Sequence, residues 1–372
     1  MPDYITAESK LQAVKYTDST GKSREFYMDP ATGEAVEQLQ DEKFSWRTKK
    51  RETLVLADTY TAGKLDKYAD RARSCSTWLE YLSNADQSKK ELHHFNACKL
   101  RLCPLCAARK ARIMANRLTK IIAKVKADHP GTQLIFLTLT IENVTGDKLR
   151  EALDELTRAW SKLTRRRAVA RAVKGWFRAI EITRNRTQDT YHPHVHAILV
   201  VEDGYFLRAN GLYITQARWV EMWQQSLQVA YTPIVGIQST YAKGKKGKPS
   251  RKAAAAAAAV AEAAKYATKD VEYIGAAIPQ AEAARVAKTY TAALHKKRLT
   301  ALGGWMLDAS QQLALNMEDA GDLVHDADGT GELTEATAEL LLSYGWHFGV
   351  MDHVLQDVQP NPDYRGGVAD DD

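Results

Sequence analysis

The stretch His192-Pro193-His194-Val195-His196-Ala197-Ile198-Leu199-Val200-Val201 decides how the chain is read. Its second half is short, apolar and rich in β-branched residues, the composition of a buried strand. Side chains alternate along a strand, so His194 and His196 project to one face while Val195, Ala197 and Leu199 turn to the other and fill a core. A lone histidine there is usually a satisfied core or surface residue. Two at i and i+2 have one economical common reason, a shared metal ion. Pro193 leaves the direction of His192 open, as a further ligand or as a group behind the ligands.

Outward from this strand, Trp176–Thr183 reads as a second one, joined by the polar loop of residues 184–191 in an antiparallel hairpin. It carries Glu181 between Ile180 and Ile182. A carboxylate in an apolar strand is costly unless paired or metal-bound, which makes Glu181 the third ligand. Imidazole plus carboxylate suits Mn²⁺, Mg²⁺ or Zn²⁺, and the residues do not choose between them. Leu134–Thr140 is another buried strand, Asp147–Lys162 has helical spacing (Leu149, Leu153, Leu156, Trp160), and Thr215 caps an amphipathic helix over 215–229. Strands and helices alternating between 132 and 275 predict an α+β core with a mainly antiparallel sheet.

The chain has four cysteines, Cys75 and the compact Cys98-x4-Cys103-x2-Cys106. Four soft ligands, two on a tight Cys-Pro-Leu-Cys turn, suit a closed tetrahedral and therefore structural Zn²⁺ site. Cys75 is distant in sequence, so His93 or His94 stands as the alternative fourth ligand. Lys99, Arg101, Arg109, Lys110, Arg112 and Arg117 surround the cluster, and this basic element is expected against DNA phosphates.

At 372 residues the chain is long enough for two or three domains, with 45% hydrophobic residues to build their cores. No stretch approaches the ~20 apolar residues of a membrane span and the N-terminus has no signal-peptide order, so a cytoplasmic protein is expected. Charge is uneven: from Glu318 onward fourteen acidic residues face one arginine, −13, which leaves +19 for the rest of a chain of net +6. A basic body with an acidic tail points to a polyanion partner. The expected division is an N-terminal arm (1–60), a Cys-rich zinc and DNA-binding segment (61–130), a core (131–275) and a C-terminal helical region with the acidic tail (276–372).

A basic linker, Lys243–Lys252, leads into the alanine tract Ala253–Ala259, which favours helix. Glu262 and Tyr266 are i and i+4 on that helix, and Lys269 is i+3 from Tyr266, so the three share a face. A phenol, of pKa about 10, becomes a nucleophile beside a cation, which lysines or the metal can supply. Alone, such a helix is more often a plain surface face.

In this order, CKLRLCPLC (98–106), FLTLT (136–140), HPHVH (192–196) and EAAKYATK (262–269) resemble the plasmid rolling-circle replication initiators, the Rep proteins of the HUH endonuclease superfamily. The likeness is to the bacterial branch with a Cys-rich N-terminal segment, and KRLTALGGW (297–305) resembles that branch's C-terminal end. It covers about Cys75 to Trp305. The resemblance implies a five-stranded antiparallel sheet with the histidines on central strands. It implies that Tyr266 attacks a phosphodiester of single-stranded or cruciform origin DNA, leaving a 5′-phosphotyrosyl enzyme and a free 3′-OH, with Glu181, His194 and His196 holding the metal that orients the phosphate. Glu262 would activate water for the terminating cut; a second nucleophile, Tyr273, is the competing idea. Host helicase and polymerase, and a homodimer, are the partners implied. A non-catalytic zinc-ribbon DNA-binding regulator and an HUH single-strand transposase or relaxase are the alternatives.

Overall fold

The computed structural model describes residues 12–17, 23–28, 35–39, 44–239, 278–315, 323–324 and 333–365. Tyr266, Glu262, Lys269, Tyr273, the basic linker and the alanine tract lie outside the described residues.

In chain order, strands β1 (Gln12–Thr17), β2 (Ser23–Met28) and β3 (Ala35–Val36) precede helices α1 (Trp46–Ala62) and α2 (Asp66–Ser74). Then come β4 (Trp78–Ser83), β5 (Lys90–Phe95), α3 (Pro104–Asp128), β6 (Gln133–Thr140), α4 (Leu149–Thr164) and α5 (Arg167–Ala172). The long hairpin β7 (Val173–Asn185) and β8 (Thr190–Val201) is followed by α6 (Gln216–Leu227) and β9 (Val235–Ser239). Beyond residue 277 lie α7 (Gln280–Leu294), β10 (Thr300–Gly304), α8 (Trp305–Gln312), β11 (Leu340–His347) and β12 (Asp352–Pro360). The class is α+β with antiparallel sheets. No helix among the described residues is long and apolar enough to cross a membrane.

The chain forms two compact units, residues 110–321 and residues 1–109 with 322–372. The first is built on a five-stranded sheet in the order β10-β7-β8-β6-β9, antiparallel throughout. In its register Glu181 faces His194, while His196 lies between Ala179 and Thr138. Alternation puts Ile198 and Val200 on the histidine side, where they join Leu134, Phe177 and Ala179 in one apolar cluster. Met114, Leu118, Ile121, Ile122 and Val125 of α3 and Met306 and Ala309 of α8 cover that cluster. α4 packs on β8 and α6, with Leu149, Leu153, Leu156 and Trp160 buried at helical spacing. Thr215 caps α6, its hydroxyl accepting from the Arg218 N–H at 3.3 Å.

Thr300–Gly304 is a strand that sequence patterning did not reveal, and its glycines have steric reasons. A Cβ on Gly303 would lie 2.3 Å from the Trp176 ring, and one on Gly304, whose φ is +54°, would lie 2.1 Å from the Lys174 carbonyl oxygen. The Gly-Gly pair lets this edge strand close on β7.

The second unit holds a four-stranded antiparallel sheet, β12-β11-β4-β5, and a three-stranded one, β1-β2-β3. Two expectations are corrected here. The C-terminal region, expected to be helical, supplies β11 and β12, because Leu340–Gly345 pairs with β4 far back in the chain and no local signal announces such a partner. The N-terminal arm, expected to be weakly ordered, contains the start of α1, whose buried Trp46, Lys50, Thr53, Leu56, Ala57 and Tyr60 recur at helical spacing.

Candidate metal centres

The β7–β8 pairing brings the carboxylate of Glu181 between two imidazoles: its Oε2 lies 2.9 Å from His194 Nε2 and 3.0 Å from His196 Nε2. All three residues are buried. His194 Nδ1 donates to the His192 carbonyl oxygen at 3.1 Å, since a carbonyl only accepts, which leaves Nε2 as the nitrogen turned to the carboxylate. His196 Nδ1 sits 3.2 Å from the Thr138 hydroxyl, and Phe136 stacks on the ring at 5.5 Å. Two imidazole nitrogens and a carboxylate oxygen thus converge as a possible ligand set. The separations fit a cation: ligands about 2.1 Å from a metal at adjacent octahedral corners stand about 3.0 Å apart. The three can therefore hold a divalent ion and leave further positions open.

His192 is not part of this group. Its Nδ1 donates to Asn143 Oδ1 at 2.7 Å, and burial, then the neighbouring His194, push its pKa below the ordinary imidazole value. It supports the site by lending its carbonyl to His194.

The four cysteines form the second group, all buried. Sulfurs of Cys75 and Cys103, Cys75 and Cys106, and Cys98 and Cys106 are 3.7, 3.6 and 3.7 Å apart. A disulfide would need about 2.05 Å, whereas sulfurs about 2.3 Å from a tetrahedral Zn²⁺ lie about 3.8 Å from one another. The donor set fits a closed metal site. His93, 3.9 Å from Glu335, and the exposed His94 are not in it, so the fourth member is Cys75. Burial pushes the Cys103 thiol up, but hydrogen bonding from Cys106, Cys75 and Cys98 outweighs it and holds that thiol well below its usual range.

Several supporting residues escaped the sequence reading. Lys50, fully buried on α1, donates to the carbonyls of Arg73 at 2.6 Å and Cys75 at 2.5 Å. Burial lowers its pKa to about 8, against the raising influence of Cys75, Cys103 and Cys98. Arg71 donates to the Cys98 carbonyl at 2.6 Å. Two cations thus hold the backbone of two cysteines. His353 caps the Ser76 carbonyl at 2.6 Å, where Ser76 adopts a φ of +55°. No spacing signal links residues so far apart.

The model of a family described as "Replication protein" matches residues 89–351, which include Glu181, His194, His196 and three of the cysteines. The chain belongs to the Rep family of replication proteins. The "Protein rep" of Lactiplantibacillus plantarum is 34% identical over 313 residues, 83% of this chain and 95% of the relative. That of Bacillus amyloliquefaciens is 32% identical over 326 residues, 84% and 94% of the two chains. That of Streptococcus pneumoniae is 31% identical over 294 residues, 79% and 87%. No solved structure matches the chain.

One expectation about this Rep chain's basic element is corrected. Arg109 is fully buried: it donates to the carbonyls of Leu323 and Val324, both at 3.0 Å, and lies over the Phe44 and Trp46 rings. It ties loop to helix and is withdrawn from any phosphate-facing surface. Lys99 and Arg101 are exposed.

Proposed function

We propose that the chain initiates plasmid rolling-circle replication by nicking one strand at the double-strand origin, on an HUH endonuclease fold. The observation that carries this reading is the buried Glu181–His194–His196 group in a member of the Rep family. Glu181, His194 and His196 hold a divalent ion, Mn²⁺ or Mg²⁺, which imidazole and carboxylate donors suit. When bound, the metal supplies Lewis acidity that polarises and orients the scissile phosphate.

Tyr266 is the nucleophile. Its phenolic oxygen forms a bond to phosphorus, the 3′ oxygen leaves with a proton as a free 3′-OH, and the 5′ side stays on the tyrosine. Lys269 favours the phenolate by its charge. Glu262 acts as general base for the water that releases the strand at termination, with Tyr273 as the rival second nucleophile. The Cys75, Cys98, Cys103 and Cys106 site takes Zn²⁺ and is structural. Origin DNA, single-stranded or cruciform at the nick, is the substrate; host helicase and polymerase act after the cut, and a homodimer is the proposed assembly in the bacterial cytoplasm.

The test is nicking of an origin-bearing oligonucleotide with and without Mn²⁺ by the wild type and by Glu181→Ala. Metal-dependent nicking lost in the variant supports the reading. Nicking that survives the substitution refutes it, and a chain that binds DNA without cutting under any metal is the zinc-ribbon regulator instead.

A further inference from the structure

A cavity of about 290 Å³ opens on the unit of residues 110–321. Arg171 of α5 and Arg218 in the first turn of α6 line it together with Leu212, Tyr213 and Ile214. Its lining carries no acidic residue. It is separate from the metal group: none of its lining residues is Glu181, His194 or His196.

The chemistry of the lining is specific. Tyr213 is 43% exposed, a large aromatic face left open to solvent. Arg171 is exposed, and Arg218 pairs with Glu221 at 2.5 Å in a half-exposed ion pair that water screens and a stronger anion can displace. Arg165 and Arg167, also exposed, extend the positive field beside the opening. An aromatic face flanked by two guanidinium groups matches one unpaired base with its phosphate, since arginine grips phosphate with paired donors and any base offers a π-face. Duplex bases are stacked on each other and cannot use Tyr213. The volume stands at the small end of ligand pockets, about 300–1,000 Å³, room for one nucleotide.

We propose that this cavity binds one nucleotide of single-stranded DNA flanking the nick, with its base stacked on Tyr213 and its phosphate held by Arg171 and Arg218. The proposal rests on the reading of the chain as one that acts on a DNA strand, but at a place distinct from cleavage. It gives the exposed strand a second anchor, apart from the Glu181, His194 and His196 group.

The experiment is fluorescence anisotropy of a short labelled oligothymidylate with the full chain over a range of NaCl concentrations. Arg171→Ala/Arg218→Ala is expected to weaken binding and to make the slope of log affinity against log salt shallower by about 0.7 per lost phosphate contact. Tyr213→Ala is expected to weaken it about 5- to 150-fold with the slope unchanged, and Tyr213→Phe to restore it. Arg165→Ala/Arg167→Ala, which removes equal charge outside the cavity, serves as the control. The proposal is overturned if the cavity variants bind as the wild type, if the control loses as much as Arg171→Ala/Arg218→Ala, or if Tyr213→Ala has no effect. All these side chains are exposed, and unchanged thermal melting verifies folding. The probe has no origin and is not cut, so the outcome does not depend on Tyr266; loss of nicking chemistry with the cavity effects intact would sink the nickase reading alone.

Discussion

Glu181 and His194 face each other across β7 and β8, and Glu181 Oε2 lies 2.9 Å from His194 Nε2. The same oxygen is 3.0 Å from His196 Nε2. One carboxylate oxygen shared by two imidazole nitrogens is a candidate ligand set drawn together by strand register. The rigidity comes from the ladder on both sides of β8 and from the Nδ1 contacts of the two histidines with the His192 carbonyl and the Thr138 hydroxyl.

The first prediction concerns that set. Glu181→Ala should weaken Mn²⁺ binding, read by isothermal titration, by well over 10-fold, because even partners behind the ligands are worth about 10- to 100-fold. Thr138→Val, which removes the contact at His196 Nδ1, should fall within that 10- to 100-fold range. Unchanged Mn²⁺ affinity in Glu181→Ala would sink the assignment.

The second concerns the cysteines. The purified chain should carry one zinc per molecule by elemental analysis. Cys75→Ser should lose it and melt about 10 °C lower, the shift expected when a unit of this size loses roughly 3 kcal/mol. Zinc retained in Cys75→Ser would exclude Cys75 as a ligand.

The third concerns Lys50. Four thiolates around Zn²⁺ carry a net charge of about −2, and the buried ammonium, anchored on the Cys75 and Arg73 carbonyls, offsets part of it. Lys50→Met should release zinc to a chelator at least about 10-fold faster than the wild type, as expected for loss of a supporting partner. Equal release rates would leave Lys50 a packing residue.

How legible these sites are in the sequence depends on distance along the chain. His194 and His196 are legible because period-two alternation is local, and Glu181 because a carboxylate between isoleucines stands out. Cys75 is ambiguous in sequence because it lies ahead of β4 while Cys98 lies behind β5; only the antiparallel hairpin, which pairs Leu79 with Phe95, brings the two together. Thr138, Lys50 and Arg71 carry no signal of their own, since each acts on a residue from another element. The strands β11 and β12 were hidden for the same reason, β11 pairing with Trp78–Ser83. Arg109 misled because a basic helix face reads alike whether its arginine faces phosphate or caps carbonyls.

The fourth prediction is a pH dependence. Burial lowers the pKa of His353 from 6.5 to about 4, so the folded protein keeps this ring neutral. Because the folded value is the lower one, the stability it confers is fully present above pH 6.5 and is lost as the pH falls from there through 4. The full loss is on the order of 3 kcal/mol, about 2 of it by pH 5. In urea unfolding, His353→Gln should show a shallower decline between neutral pH and pH 5 than the wild type. Parallel declines would contradict the account.

The central claim is that Tyr266 forms a covalent bond to the cut strand. The direct measurement is denaturing electrophoresis of the full chain with an origin oligonucleotide labelled on the 3′ side of the nick and Mn²⁺ present, followed by mass mapping of the labelled peptide. The account predicts a protein–DNA adduct on Tyr266, absent in Tyr266→Phe and absent without the metal. An adduct that persists in Tyr266→Phe, or one that maps to another residue, would contradict it.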